Sequence, residues 1–140
     1  MTAMSPYLTF DGTCAAAMKD YQRVLGGELQ LMEFAGSPME AHAKPADLHR
    51  VMHARLDFDG GVLMASDCMT GMDYRGIQGS MVSLTFDDAA RARQVFDALA
   101  EGGRVTMCYQ KTFWAEGFGM LVDRHGASWM VSAGLQAPRD

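Results

Sequence analysis

The sequence predicts an α+β fold built from two copies of one βαβββ module, and three observations carry that prediction. The tetrapeptide Leu-Thr-Phe-Asp occurs twice, at Leu8–Asp11 and at Leu84–Asp87, 76 positions apart. A Gly-Gly pair follows each copy at the same offset, Gly26-Gly27 and Gly102-Gly103. An Asp-x-x-Gly signature recurs at an offset of 66, Asp57–Gly60 and Asp123–Gly126, after which Met64 and Ser66 match Met130 and Ser132. Any one short match arises by chance, but a shared order in both halves marks a repeated unit.

Each element has its own signal. Leu8–Asp11 opens the first copy as a strand. Ala17, Tyr21, Val24 and Leu25 then share one face of a helix, as do Ala92, Val95, Phe96 and Leu99 in the second copy. Each Gly-Gly stands where a helix ends in a left-handed residue. Leu29 and Leu31, and in the second copy Val105 and Met107, alternate as in a half-buried strand. The Asp-x-x-Gly signatures read as tight turns between the last two strands. The first module spans residues 5–67 and the second 79–134, with a linker over 68–78, and all 140 residues form a single domain. Residues 35–50, with two prolines and scattered charge, break the periodicity and predict a loop carrying one short helix. Its counterpart, Gln110–Gly119, is shorter and aromatic, and the two segments are expected to rim one cavity.

Composition removes several function classes. A formal net charge of −5, with no basic run, argues against general nucleic-acid or anionic-membrane binding. No apolar stretch approaches the ~18 residues of a spanning helix, and Met1–Pro6 lacks the regions of a secretory signal. Cys14, Cys68 and Cys108 are odd in number and lack metal-type spacing, so they read as reduced thiols of a cytoplasmic protein. Cys14 opens the first helix, where the helix field can lower a thiol pKa; with Lys19 the nearest basic residue, it reads as structural. Thirteen methionines suit either adaptable core packing or a pliable apolar pocket.

Ser5–Phe10, Cys14-Ala15, Tyr21-Gln22, Leu25-Gly26, His53-Ala54, Met64–Asp67, Gln110–Gly119 and Gly126–Met130 together resemble the PhnB-like proteins. These belong to the glyoxalase, bleomycin-resistance and extradiol-dioxygenase (vicinal oxygen chelate) superfamily. The resemblance covers nearly the whole chain, and its Thr-Phe-Trp-Ala-x-Gly-Phe-Gly block, Thr112–Gly119, is specific. It implies the glyoxalase/bleomycin-resistance fold, in which two βαβββ modules form a cupped mixed sheet around a pocket, and it implies a homodimer. Metal enzymes of the superfamily carry His or Glu ligands on the first and last strands of each module. Carried over by strand position, those places fall on Ser5, Met64, Met81 and Met130, none an ordinary ligand for a hard or borderline cation. No metal and no cofactor are therefore expected. Members of the group have also been labelled ubiquinone-pathway methyltransferases, but the chain lacks the glycine-rich strand-to-helix turn and the parallel sheet such an enzyme needs.

Several side chains remain as candidates for chemistry. His49 and His53 are one helical turn apart and, with His42, invite a metal reading; the alternation of His53–Phe58 instead makes a strand, which separates them. His53 alone, opening the third strand, is a candidate general acid or base, or a hydrogen-bonding group. Asp67 either caps the following turn or orients His53. Gln110 and Thr112 offer neutral hydrogen bonds beside Phe113 and Trp114, and Glu116 is either a solvated loop charge or a pocket carboxylate. Ser83, Ser128 and Ser132 share strand faces with Met81 and Met130. The leading expectation is a small-molecule-binding protein whose apolar, aromatic pocket is lined by Tyr7, His53, Met64, Ser66, Met81, Gln110, Thr112, Trp114, Phe118 and Met130, with Gln110–Gly119 as lid. The alternatives are a lyase, isomerase or dioxygenase with a non-standard metal site including His53, and an interaction domain in which Trp114 and Phe118 only fill space.

Overall fold

A computed structural model describes residues 2–135 of the chain. They form two compact units that divide between Gln78 and Gly79. The first runs β1 (Tyr7–Phe10), α1 (Cys14–Leu25), β2 (Glu28–Glu33), β3 (Val51–Phe58) and β4 (Gly61–Asp67). The second runs β5 (Val82–Phe86), α2 (Ala89–Ala100), β6 (Arg104–Gln110), β7 (Gly117–Val122) and β8 (Ser128–Ala133). The strand orders are β1-β4-β3-β2 and β5-β8-β7-β6. In each sheet the first and last strands of the unit pair in parallel and the other pairs are antiparallel. Both βαβββ patterns read from the sequence are thus present.

One helix packs on one face of each sheet. In the first unit Cys14, Ala17, Met18 and Tyr21 of α1 are buried with Leu8, Phe10, Ala54, Leu56, Leu63 and Ala65. In the second, Ala92, Val95, Phe96 and Leu99 of α2 are buried with Leu84, Leu121, Trp129, Val131 and Ala133. Each large apolar side chain so buried contributes about 1.5–3 kcal/mol. Strand alternation sends Tyr7 and Thr9, Met64 and Ser66, and Ser83, Met130 and Phe118 to the opposite face, away from the helix of their own unit.

The Gly-Gly pairs do two jobs. Gly26 and Gly102 take positive φ (78° and 77°) where each helix gives way to a strand. At Gly27 a Cβ would run into the backbone carbonyl of Asp57, and at Gly103 into that of Val122, so the second glycine lets the chain pass against the hairpin.

The helices begin differently. Asp88 caps α2 locally, its Oδ1 accepting from the amides of Ala90 and Arg91. Thr13 makes no such bond. Instead Asp67, at the end of β4, supplies the carboxylate: Oδ1 accepts from the amides of Gly12 (2.9 Å) and Cys14 (3.0 Å), and Oδ2 from that of Val51 (2.9 Å). This buried side chain therefore joins the start of α1 to the start of β3. Neither sequence reading of Asp67 holds: it caps a preceding element, and its hydrogen-bond partners do not include His53.

The two Asp-x-x-Gly signatures also differ. Asp57 is still in the ladder, opposite Val62, and the hairpin turns at Asp59-Gly60. Asp123 follows the last paired residue, Val122, in a turn that closes at Ser128. Its Oδ1 accepts from the amides of His125 and Ala127, and its Oδ2 from the indole Nε1 of Trp129 at 2.7 Å. The segment 35–50 holds two 3₁₀ turns, Glu40–His42 and Pro45–Asp47, in place of one short helix. It is fastened to residues 68–74: Asp47, fully buried, accepts from the amide and hydroxyl of Thr70, and Arg50 donates to Asp11 Oδ1 (2.8 Å) and the carbonyl of Cys68 (2.8 Å). Tyr74 donates to the carbonyl of Thr9 on edge strand β1.

Replacing Asp67 with Ala leaves three amides without their acceptor, and urea unfolding is expected to show a loss of about 3 kcal/mol. Asp67→Asn, which keeps one acceptor oxygen, is expected to lose less. A second expectation concerns acid. The Thr70 hydroxyl holds the Asp47 carboxyl below its usual value of 3.8, and the Arg50 guanidinium does the same for Asp11. Their contribution is present above pH 3.8 and is lost as pH falls through the lower folded-state values. The amide of Thr70 should lose its hydrogen-exchange protection there before the amide of Ala65.

Candidate functional site

The face of each sheet turned away from its own unit's helix is the candidate site, and pairing register orders its side chains in rows. In the first unit Tyr7 stands opposite Met64, Met64 opposite Arg55, and Arg55 opposite Gln30. The next row brings Thr9 opposite Ser66 and His53 opposite Met32; continuing the β3–β4 register sets His53 beside Ser66. The rings of Tyr7 and His53 stack, with centroids 6.1 Å apart and planes at 30°. Arg55 is held by Asp57 through two bonds, Nε–Oδ2 at 2.9 Å and Nη2–Oδ1 at 3.0 Å, which lower the Asp57 pKa and raise that of Arg55. Tyr7, His53, Met64 and Ser66 are therefore neighbours, and Arg55, which the sequence reading did not include, adjoins them. Its place opposite Met64 follows from the antiparallel β3–β4 pairing, which was legible once the hairpin was known.

In the second unit Thr85 stands opposite Ser132, Ser132 opposite Phe118, and Phe118 opposite Gln110. The next row is Ser83, Met130, Met120 and Met107. Met81 lies immediately before β5 and is exposed. Trp114 leans on Phe118, with centroids 5.4 Å apart at 71°, and Phe113 meets Trp114 edge-on at 4.6 Å. Trp114 is 37% exposed and Phe113 87%. Gln110 closes β6 and Gly117–Gly119 open β7, so only 111–116 form a connection and the expected lid is shorter than Gln110–Gly119. The Thr112 hydroxyl shapes that turn by accepting from the amides of Trp114 (3.4 Å) and Ala115 (3.2 Å). Glu116 is exposed, so it reads as a loop charge. Trp129, the other tryptophan, belongs to the helix-side core.

Met107 and Val105 do not share a face as the sequence suggested. A register shift between them sets Val105 against Leu121 and Met107 against Met120. On the edge strands the expected half-burial is also weaker: Leu31 and Val105 are exposed.

The metal centre implied by the superfamily resemblance was tested on the positions that would hold it. The strand pairs are Tyr7 with Met64 and Ser83 with Met130, so the first-strand positions lie two residues beyond Ser5 and Met81. A phenol, a hydroxyl and two thioethers do not fit a hard or borderline cation. Among the described residues no three His, Cys, Asp or Glu side chains converge. His42 lies in a 3₁₀ turn, His49 pairs with Glu33 at 3.2 Å, and His53 stacks on Tyr7.

The thiols do not supply a nucleophile to these faces. Cys14 is fully buried, and burial, with the nearby Asp67 carboxylate, pushes its pKa up to about 12. Burial also raises Cys68, whose thiol donates to Asp11 Oδ1 at 3.5 Å. Cys108 is exposed. A disulfide reagent is therefore expected to modify Cys108 at once, Cys68 more slowly, and Cys14 only after denaturation. Fast labelling of Cys14 in the folded protein would contradict its place in the core.

Comparison with known proteins bears on this geometry. A family model described as 3-demethylubiquinone-9 3-methyltransferase matches residues 2–132. The protein YjdN of Escherichia coli strain K12 is 33% identical over 144 residues, covering 96% of this chain and 97% of its own. The crystal structure of protein PA1353 from Pseudomonas aeruginosa is similar with a TM-score of 0.87 at 43% identity, over 97% of this chain and 100% of that one. A glyoxalase/bleomycin resistance protein/dioxygenase from Nocardioides is similar at a TM-score of 0.58 and 17% identity, over 99% of this chain and 87% of that one. The last likeness shows the glyoxalase/bleomycin-resistance fold alone. No helix among the described residues is long and apolar enough to cross a membrane.

Proposed function

This chain belongs to the PhnB-like family, whose model is described as 3-demethylubiquinone-9 3-methyltransferase, and from that premise we propose that it binds a small, largely apolar aromatic molecule. The observation that carries the reading is where large apolar side chains meet solvent. Tyr7, Met32, Met81, Met107 and Trp114 are exposed, and they lie on or beside the sheet faces turned away from each unit's own helix. Met64, Phe118, Met120 and Met130 are half-buried among them. Apolar surface gathered in this way marks a binding face. Neutral hydrogen-bonding groups that can orient a ligand without charge stand on each face separately: Tyr7, Ser66 and His53 in the first unit, and Gln110 at the end of the Phe118 row in the second.

The methyltransferase description sits poorly with the strand–helix chemistry. Methyl donors of the doubly wound enzymes occupy the carboxyl ends of several parallel strands; each sheet here has one parallel pair. The turn from β1 into α1, where a cofactor would need free amides, is filled by the Asp67 carboxylate. Binding, with His53 as a hydrogen-bonding group, is the reading these features support. We take the working form to be a cytoplasmic homodimer, since β1, β2, β5 and β6 are edge strands of their sheets and a second copy can cover such edges. Light scattering at micromolar concentration is expected to give twice the chain mass.

Fluorescence separates the two tryptophans. Trp129 is buried and bonded to Asp123, so ligand contact should be reported by Trp114. Titration with a panel of neutral planar aromatics is expected to quench the emission saturably, and Trp114→Phe should remove the response while the fold, followed by circular dichroism, persists. Met130→Ala should weaken binding roughly tenfold, the loss of about 1.4 kcal/mol of contact. A flat response to the whole panel from folded protein would count against the proposal.

A further inference from the structure

The second unit carries a row of thioethers that the packing of its helix-side core does not require. Met107 on β6 stands opposite Met120 on β7, and Met120 opposite Met130 on β8. Three methionines thus occupy facing positions on three successive strands, with Ser83 of β5 closing the row. Met81 lies two residues before Ser83, just outside β5.

A bulge makes the row. Val105 opposes Leu121, and unbroken antiparallel pairing would carry Met107 on to Gly119, toward the helix side. The register shift between Val105 and Met107 turns Met107 onto Met120 instead. Bulges re-aim side chains in this manner. The corresponding row of the first unit is Tyr7, Met64, Arg55 and Gln30, with one thioether, so three in a row is a property of this unit and not of the fold. The side chains are not sealed in a core: Met107 is 39% exposed and the other two are half-buried.

Facing positions on neighbouring strands hold their Cβ atoms about 4.5–5.5 Å apart. Methionine has three rotatable side-chain bonds, enough for two outer sulfurs to meet a central one at a shared point. The row contains no carboxylate or imidazole, and Arg104, opposite Val122, adds a positive charge one row away. That set disfavours a hard divalent ion, whereas neutral thioethers select soft monovalent ones. We propose that Met107, Met120 and Met130 form a three-coordinate thioether site for a soft d¹⁰ cation, Cu(I), for which Ag(I) is the redox-stable probe. The site shares these three side chains with the face proposed above for an aromatic ligand, but it needs no organic ligand to be tested.

The experiment uses the full chain with Cys68→Ala and Cys108→Ala, which removes the two thiols outside the core, and ¹³C-labelled methionine ε-methyl groups. Titration with Ag(I) in chloride-free buffer is expected to shift the Met107, Met120 and Met130 signals together and to saturate at one equivalent. Cu(I) should be withdrawn from a chromophoric chelator with the same stoichiometry. Met120→Leu, close to isosteric, should lower Ag(I) affinity at least roughly tenfold, as should Met130→Leu, whereas Met64→Leu in the first unit should leave it unchanged. Unchanged affinity in both second-unit variants, saturation below one equivalent, or shifts at other methionines would overturn the proposal.

Discussion

One helix lies against each four-stranded sheet, so only one of the two sheet faces is dried by the unit that owns it. That constraint governs the rest of the molecule. On the helix side, position after position along β4 and β8 is a packed apolar residue: Leu63 and Ala65, Trp129, Val131 and Ala133. On the other side the same strands carry Met64, Ser66, Met130 and Ser132, residues whose size and polarity the core does not dictate. A strand has period two, so one set of residues cannot serve both demands. The helix side holds the fold together and the free side is where function has room to sit.

Two carboxylates connect these layers to the loops. Asp67 takes three amides from two segments, and Asp123 takes two amides and an indole, both while buried. A buried carboxylate is costly unless its oxygens are used. Here they are used to fix where a helix starts and how a hairpin turns, beside the registers that bring Tyr7 to Met64 and Met120 to Met130.

How much of this was legible follows from how local each cause is. The helices were readable because Ala17, Tyr21 and Val24, or Ala92, Val95 and Phe96, repeat at helical spacing. The duplication was readable because short motifs recur at fixed offsets. The cap of α2 is local, since Asp88 adjoins the helix. The cap of α1 is not: its carboxylate is 53 residues away from Cys14, on a strand end. The Asp-x-x-Gly match misled for a related reason, since Asp57 and Asp123 look alike in sequence while one pairs in a ladder and the other shapes a turn. Strand register put the candidate positions two residues from Ser5 and Met81, and only pairing reveals that. The bulge that moves Met107 is a backbone event with no residue signature. Tyr7, His53, Met64 and Ser66 share the face of the first sheet away from α1, and Gln110, Phe118 and Met130 that of the second away from α2, because alternation from a single anchored residue is enough to assign a face.

The divergence of the two copies shows which positions the fold leaves free. His53, one residue before Ala54, and Phe118, one before Gly119, stand in equivalent places, because Ala54 opposes Ala65 and Gly119 opposes Val131. Tyr7 corresponds to Ser83, Arg55 to Met120 and Asp57 to Val122 by the same reasoning. On the helix side the equivalents stay apolar: Leu8 and Leu84, Leu56 and Leu121, Ala65 and Val131. Packing against a helix favours apolar residues, the bonded Asp67, equivalent to Ala133 of the other copy, being the exception, and no such demand acts on the free face. One copy has consequently become a face of phenol, imidazole and a guanidinium held by a carboxylate, and the other a face of phenyl and thioethers. Phe118, Met120 and Met130 stand half-buried on that second face, apolar and soft side chains that packing against α2 does not call for.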